Sequence, residues 1–442
     1  MVTQRTFGTL PSGEEVQIYH LENKAGAYAE VLQYGAILVK LCVPDKDGKL
    51  TDVVLGYDEL AGYEKNGCFF GATIGRSGNR IAGSRFMLDG KEVRLTPNEY
   101  NYSNSHGWNE IALGTHSANS AGVISDRWKA CYEGIGRCNT HLDRLPGAEA
   151  SEERKLQMEG EAKFLRALYY YLLVTYYNGV PLVLSIPEMS HGTLPRSSRE
   201  EVVSQIIGDL DRAAECLDWK WGSKSDKGRA TKGAAMSLKA RLLLFEASPL
   251  VNEKGDLALW KKAADAAAEV MDHAKEAGYD LFPDYRKLFL PANEHSCECI
   301  FDVEYSKTKN TPINAWNVQS VQYRNNAPLL DLVNAYESSD GKTYAQDNYD
   351  KKDPRFKATV FYPGCTFLGK ANSTATQICQ FTGFAHKKLT IYDNQARDPD
   401  DGNGETNYMF IRYADVLLMF AEAKNEVETS PSAEVYSALN AV

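Results

Sequence analysis

The chain lacks a basic excess, a long apolar run and a regular cysteine spacing, and each absence removes a class of function. Its formal net charge of -10 argues against a general nucleic-acid binder, which carries a basic face. No stretch approaches the roughly 20 apolar residues a membrane helix needs. Met1-Val2-Thr3-Gln4-Arg5 leads straight into polar text without an apolar leader. The expectation is therefore no secretory signal, and a cytoplasmic chain as written. The 9 cysteines are odd in number and scattered, which excludes a small disulfide framework. The one tight cluster, His295-Ser296-Cys297-Glu298-Cys299, invites a metal. A strand explains it better, with Cys297, Cys299, Phe301 and Val303 alternating against Glu298, Asp302 and Glu304. No second Cys/His pair sits at a fitting spacing, so neither metal nor cofactor is expected. The acidic run Asp393–Asn403 lacks the glycine and distal glutamate placement of a calcium loop and reads as a solvated surface loop.

What is present is ordinary globular text with one discontinuity. The 442 residues are 43% hydrophobic and 24% charged, enough for two or three domains with cores of their own. The aromatic share of 11%, with 25 tyrosines, suits sugar rings as well as cores. Near residue 105 the periodicity changes. Before it, Val16, Ile18 and His20 alternate with polar residues, and Ala29–Val43 reads as two strands broken at Gly35. Asp45-Lys46-Asp47-Gly48 is a turn into a strand at Val53-Val54-Leu55. Asp89-Gly90 separates Phe86-Met87-Leu88 from Val93-Arg94-Leu95. Strands and turns at this spacing predict a partial antiparallel β-sandwich over 1–105.

Four stretches of this first part resemble the aldose 1-epimerase (galactose mutarotase) family. They are Tyr34-Gly35-Ala36, Val54–Leu60 with Tyr63, Gly71–Arg76, and Asn79-Arg80-Ile81. The match covers about a quarter of the chain. The resemblance implies a sugar site lined by Asn79 and Arg80, with Arg80 holding a ring or hydroxyl oxygen. An arginine at a sheet edge paired with Asp89 or Glu92 is the alternative. His106-Gly107 stands where the family has Leu-His-Gly-Gly, so His106 is a remnant candidate. Ring opening also needs a general acid and a general base. The family carries them later, in β-rich text that does not follow here. Losing either costs about 10²–10⁴-fold in rate. The expectation is no intact catalytic site, with aldose 1-epimerase, interconverting hexose anomers, as the alternative function.

Beyond Trp108 the pattern turns helical. Ala121–Leu145 carries apolar residues at spacings of three and four. Ser151–Tyr177 stops at Asn178-Gly179. Ser198 and Glu201 form a capping box for the next helix. Thr231–Ala247, Leu257–Ala277 and Tyr413–Val427 follow. Small-residue faces suggest helical hairpins of the tetratricopeptide type, without a strict period. The motifs Ala162–Leu168, Tyr177–Pro181, Gly228–Ala235, Leu238–Leu242, Ala247–Asn252, Leu332–Glu337, Asp353–Phe356, Ile411–Leu418 and Ala421–Glu426, in this order and spacing, resemble the SusD/RagB family of glycan-binding outer-membrane lipoproteins. Most of these positions read as structural. Arg166, Arg241 and Arg412 are expected to bridge elements through carboxylates or carbonyls, and Asp353-Pro354 and Pro363-Gly364 to be turns.

The fold class expected is α+β in two parts, a partial mutarotase-like β-sandwich (1–105) and a mostly helical SusD-like domain (106–442) truncated at both ends. The second resemblance implies non-catalytic capture of a glycan or oligosaccharide at the outer-membrane surface, with a TonB-dependent porin as partner. Aromatic platforms and amides hold sugars, because rings present flat C–H faces and peripheral hydroxyls. The candidates are Trp108, Asn109, Trp316, Asn317 and Tyr323. Packing of Trp316 on the helical scaffold is an equally open reading.

Overall fold

The computed structural model describes residues 2–64, 70–73, 85–88, 91–94, 116–117, 122–223, 226–306, 317, 320–321, 327–342, 344, 347–380, 382–398 and 404–442. The chain divides into two compact units, Met1–Leu95 and Thr96–Val442.

The first unit is an antiparallel meander. Strands β1 (Val2–Thr9), β2 (Glu15–Glu22), β3 (Tyr28–Leu32), β4 (Leu38–Pro44) and β5 (Leu50–Asp52) lie in sequence order in one sheet. A separate hairpin joins β6 (Arg85–Leu88) to β7 (Lys91–Arg94). Val16 and Ile18 on β2 point into a small core with Leu32, Ile37, Val39, Leu60 and Tyr63, as their alternation predicts. The mutarotase-like motifs shape this sheet. Gly35 (φ +64°) and Ala36 (φ +50°) make the left-handed turn from β3 to β4. Gly71 (φ +65°) approaches so closely that a Cβ would sit 1.9 Å from the Leu38 carbonyl oxygen. Tyr63, on the short helix α1 (Leu60–Glu64), accepts a hydrogen bond from the Tyr57 amide at 2.8 Å. One expectation fails here. The strand after Gly48 is Leu50–Asp52, while Val53 and Leu55 are exposed. A tight turn closes with the Asp45 amide donating to the Lys49 carbonyl, so pairing restarts immediately and is spent before Val53.

Among the described residues, the second unit is built on seven long helices. They are α2 (Val123–Arg144), α3 (Glu152–Tyr177), α4 (Arg199–Cys216), α5 (Lys232–Ala247), α6 (Leu257–Asp272), α7 (Tyr413–Val427) and α8 (Ala433–Ala441). Each packs on the next, and α5 also meets α7. The helix starts follow the expected chemistry. Ser151, Ser198 and Thr231 accept from the amide three residues on, and Ser198 with Glu201 completes a capping box. Phe164, Leu173, Ile206, Leu210 and Leu238 are fully buried in a common core. Each such side chain contributes about 1.5–3 kcal/mol. Two expectations are corrected. The helix from Leu257 breaks at His273 (φ -98°, ψ 4°) before a last turn at Ala274–Ala277. Asp353-Pro354 starts a helix, with Asp353 capping Pro354–Thr359 through the Arg355 amide, because proline fits a first helical turn.

Buried polar groups lock the helices in register. Arg166, 5% exposed, reaches from α3 to both Asp209 oxygens on α4 at 2.7 Å and to Asn139 on α2 at 2.8 Å. Asn139 then donates to the Val183 and Ser185 carbonyls at 2.8 and 2.9 Å. Removing one member of a buried pair strands the other charge. Asp209→Ala is therefore expected to lower the unfolding free energy by about 3–5 kcal/mol. Asp265→Ala, on the exposed Lys261 pair, should change it by less than about 0.5 kcal/mol. Urea unfolding followed by helical circular dichroism measures both.

Candidate functional site

Of the residues singled out from sequence, Asn79, Arg80, His106, Trp108, Asn109, Trp316 and Tyr323 lie outside the described residues. Asn317 is described and buried. Its side-chain oxygen accepts from the Ile391 amide at 3.0 Å, which makes it an anchor for residues 305–325, the aromatic part of a stretch, 301–328, that the sequence marks as loop-rich. The described residues around that segment show how it is held.

At its start stands a two-stranded sheet. Strand β8 (Cys299–Val303) pairs antiparallel with β11 (Tyr408–Arg412). The expected strand is present, but neither alternating set is buried as a whole: Phe301 is buried and Glu304 exposed. Glu298 and Asp302 are buried, whereas Cys297 and Val303 are exposed. The reason is that each carboxylate finds partners. Glu298 binds the Arg412 guanidinium and accepts from the Phe282 amide at 2.9 Å. Asp302 accepts from the Asn407 side chain at 3.0 Å. Asn407 also receives the Tyr305 amide at 3.1 Å, which fixes the direction in which the segment leaves the sheet. Arg241 on α5 donates to Asp415 and to the Phe410 carbonyl, both at 2.8 Å. The three arginines thus bridge elements as expected.

Further along, Ser320 donates to the His386 carbonyl. Val321 is buried with Phe361, Phe367, Ile378 and Tyr392, where strands β9 (Val360–Phe361) and β10 (Ala385–His386) pair. The receiving loop is organised by a residue that sequence reasoning missed. Arg286 donates to the carbonyls of Lys388 and Thr390 at 3.0 and 2.8 Å and to Asp393 at 3.0 Å. Burial alone would raise the Asp393 carboxyl, yet the charges of Arg286 and Lys387 hold it below its ordinary value. Asp393 is therefore a structural ion-pair partner. No sequence signal marks Arg286, because its acceptors are backbone groups about a hundred residues away.

A second concavity, about 370 Å³ in volume, is lined by Trp219, Trp221, Tyr279, Ser296 and Asp302. Its aromatic polar ends are engaged. Trp221 donates to the Ala230 carbonyl at 3.0 Å, and burial pushes the Tyr279 hydroxyl up to about 12. Trp219 stacks on His273 at 4.6 Å.

Comparison with known proteins separates the two parts. The aldose 1-epimerase family matches residues 17–113, a family described as starch-binding associating with outer membrane matches 83–244, and the SusD family matches 297–442. The first two overlap at 83–113. Galactose mutarotase from Bos taurus is 43% identical over 98 residues, 22% of this chain and 28% of that protein. A SusD-like protein from Bacteroides ovatus is 26% identical over 328 residues, 68% of this chain and 55% of that protein. The chain thus spans less than two thirds of either relative. The crystal structure of a SusD-like protein from Bacteroides fragilis superposes with a TM-score of 0.63 at 26% identity, covering 75% of this chain and 70% of that one. The chain joins a mutarotase-like first part to a SusD-like second part.

Arg286→Met removes the donor that gathers the 387–393 loop. The expected outcome is a loss of about 2–4 kcal/mol in stability and faster proteolytic cleavage within 305–328. Limited proteolysis with mass mapping of the fragments checks it.

Proposed function

We propose that the chain captures an oligosaccharide through its helical part and carries out no chemistry on it. The observation that carries this reading is the SusD-like frame of the second unit, on which an aromatic and amide-rich segment is anchored at both Tyr305 and Asn317. Within 305–325 the sequence places Trp316 and Tyr323 beside Asn314, Gln319 and Gln322. Flat rings pack against sugar C–H faces, and amides exchange hydrogen bonds with hydroxyls. Trp316, Tyr323 and Trp108 act as platforms in this reading. Asn109 contributes hydrogen bonds, and Asn317 holds the segment from behind. The domain change falls between the mutarotase-like hairpin and the first long helix, near residue 105. Cell-surface location and a TonB-dependent porin partner follow from the same likeness and belong to the proposal. Among the described residues no helix is long and apolar enough to cross a membrane.

The 43% identity to a mutarotase over 98 residues gives the rival reading its weight. The match ends at residue 113, and the acid and base that the family places later have no counterpart in the helical text. We infer an inactive remnant.

Affinity electrophoresis of the full chain against a panel of soluble polysaccharides tests the leading reading. At least one should retard it, and Trp316→Ala or Tyr323→Ala should weaken that binding tenfold or more, about 1.4 kcal/mol. Polarimetry on fresh α-glucose and α-galactose should show the uncatalysed rate. Acceleration matching a true mutarotase would replace this reading with the rival.

A further inference from the structure

His295 and Asp302, on the wall of the 370 Å³ concavity, form with nearby Glu304 a group of side chains that glycan capture does not use. His295 Nδ1 lies 3.5 Å from Asp302 Oδ2, and its Nε2 lies 3.2 Å from Glu304 Oε1. One ligand atom from each residue falls within 4.8 Å of the other two. Asp302 is 4% exposed, and its Oδ1 has no hydrogen-bond partner among the described residues. Leaving such an oxygen unpaired in the interior is unfavourable. The neighbouring Cys299 thiol can offer this carboxylate only a weak hydrogen bond. Ser296 Oγ, on the same wall, is likewise unpartnered among the described residues.

The surroundings hold this arrangement open. Asn407 Nδ2 fixes Asp302 Oδ2, while the Asn407 amide donates to Glu294 at 2.7 Å. The carboxylate is thereby held with Oδ2 towards the His295 ring, as supporting hydrogen bonds orient metal ligands elsewhere. Gly228 (φ +86°) closes the opposite side. A Cβ there would sit 2.1 Å from Glu304 Oε1 and 3.1 Å from His295 Cε1. Only glycine lets that loop approach without displacing the acid. His295 itself has φ +54°, an uncommon conformation for a side-chain-bearing residue. Glu294, Asp302 and Glu304 together set three carboxylates against one imidazole.

We propose that His295, Asp302 and Glu304 form a divalent-cation site of the mixed nitrogen and oxygen class, taking Zn²⁺ or Mn²⁺. An imidazole with two carboxylates suits these ions, whereas Ca²⁺ and Mg²⁺ favour all-oxygen sets. Bonds of about 2.0–2.2 Å set neighbouring ligand atoms roughly 3.0–3.5 Å apart, so an ion on Nδ1 beside Asp302 requires Glu304, which now faces Nε2, to swing towards it by up to about an ångström. Glu304, whose side chain is 56% exposed, has the freedom to do so. Water from the concavity completes the coordination. The cation clips β8 to the residue that precedes the aromatic segment.

The test uses the full chain, stripped with a chelator and titrated calorimetrically with chlorides of Zn²⁺, Mn²⁺, Ca²⁺ and Mg²⁺. Zn²⁺ or Mn²⁺ should bind one to one and raise the melting temperature. Glu304→Gln, at an exposed position, should weaken binding tenfold or more and abolish the thermal shift; Asp302→Asn should do the same where it folds. Cys297→Ser should leave binding unchanged. The proposal is overturned if Glu304→Gln binds as the parent does, if Cys297→Ser removes binding, if only Ca²⁺ or Mg²⁺ binds, or if no ion binds. No glycan enters this experiment, so its failure is separate from failure of the capture reading.

Discussion

Charge burial is the constraint on which the second unit depends. Glu298 is 3% exposed and sits against Arg412, while Asp415 receives both the Arg412 amide and the Arg241 guanidinium. A carboxylate in the interior is tolerated only when its partners are in place, and removing one partner costs about 3–5 kcal/mol. These contacts join α5, α7, β8 and β11 at one point. Any shift of one element unpairs a charge belonging to another. The same rule operates at Arg166 with Asp209 and at Arg286 with Asp393. The frame is therefore defined by a few guanidinium pairs, and the aromatic segment departs from its firmest corner.

Much of this frame is legible in the sequence because its causes are local. A serine or threonine before an apolar periodic run caps a helix, and Ser151, Ser198 and Thr231 do so. Asn178 adopts φ +62° to end α3, and Gly35 makes the turn its motif suggests. What sequence misses depends on partners far along the chain. Alternation around Cys297–Val303 identifies a strand, but the buried face is chosen by Arg412 and Asn407, more than a hundred residues away. Polar residues win the interior there because they arrive with partners. Arg286 carries no signal for the same reason. The grouping of His295 with Asp302 and Glu304 is likewise set by β8 and its neighbours rather than by the cysteine spacing.

The first unit shows the structural work its motifs do. Gly35, Gly71 and Tyr63 carry the mutarotase likeness, and each has a structural task in a turn, a close backbone approach or a core. Such residues keep a sheet recognisable whether or not chemistry survives. Catalysis in that family needs proton-transfer groups from later text, and here later text is a different protein's fold. Likeness of 98 residues therefore speaks to ancestry and sheet geometry, while the functional proposal rests on the helical unit.

Saturation-transfer difference NMR on the full chain with an oligosaccharide from a polysaccharide that retards it reads the platform contact directly. The account predicts strong saturation of ring C–H protons on two or more adjacent residues, lost in a Trp316→Ala, Tyr323→Ala double variant. Absence of transfer across the panel, or transfer that survives both substitutions, would contradict it.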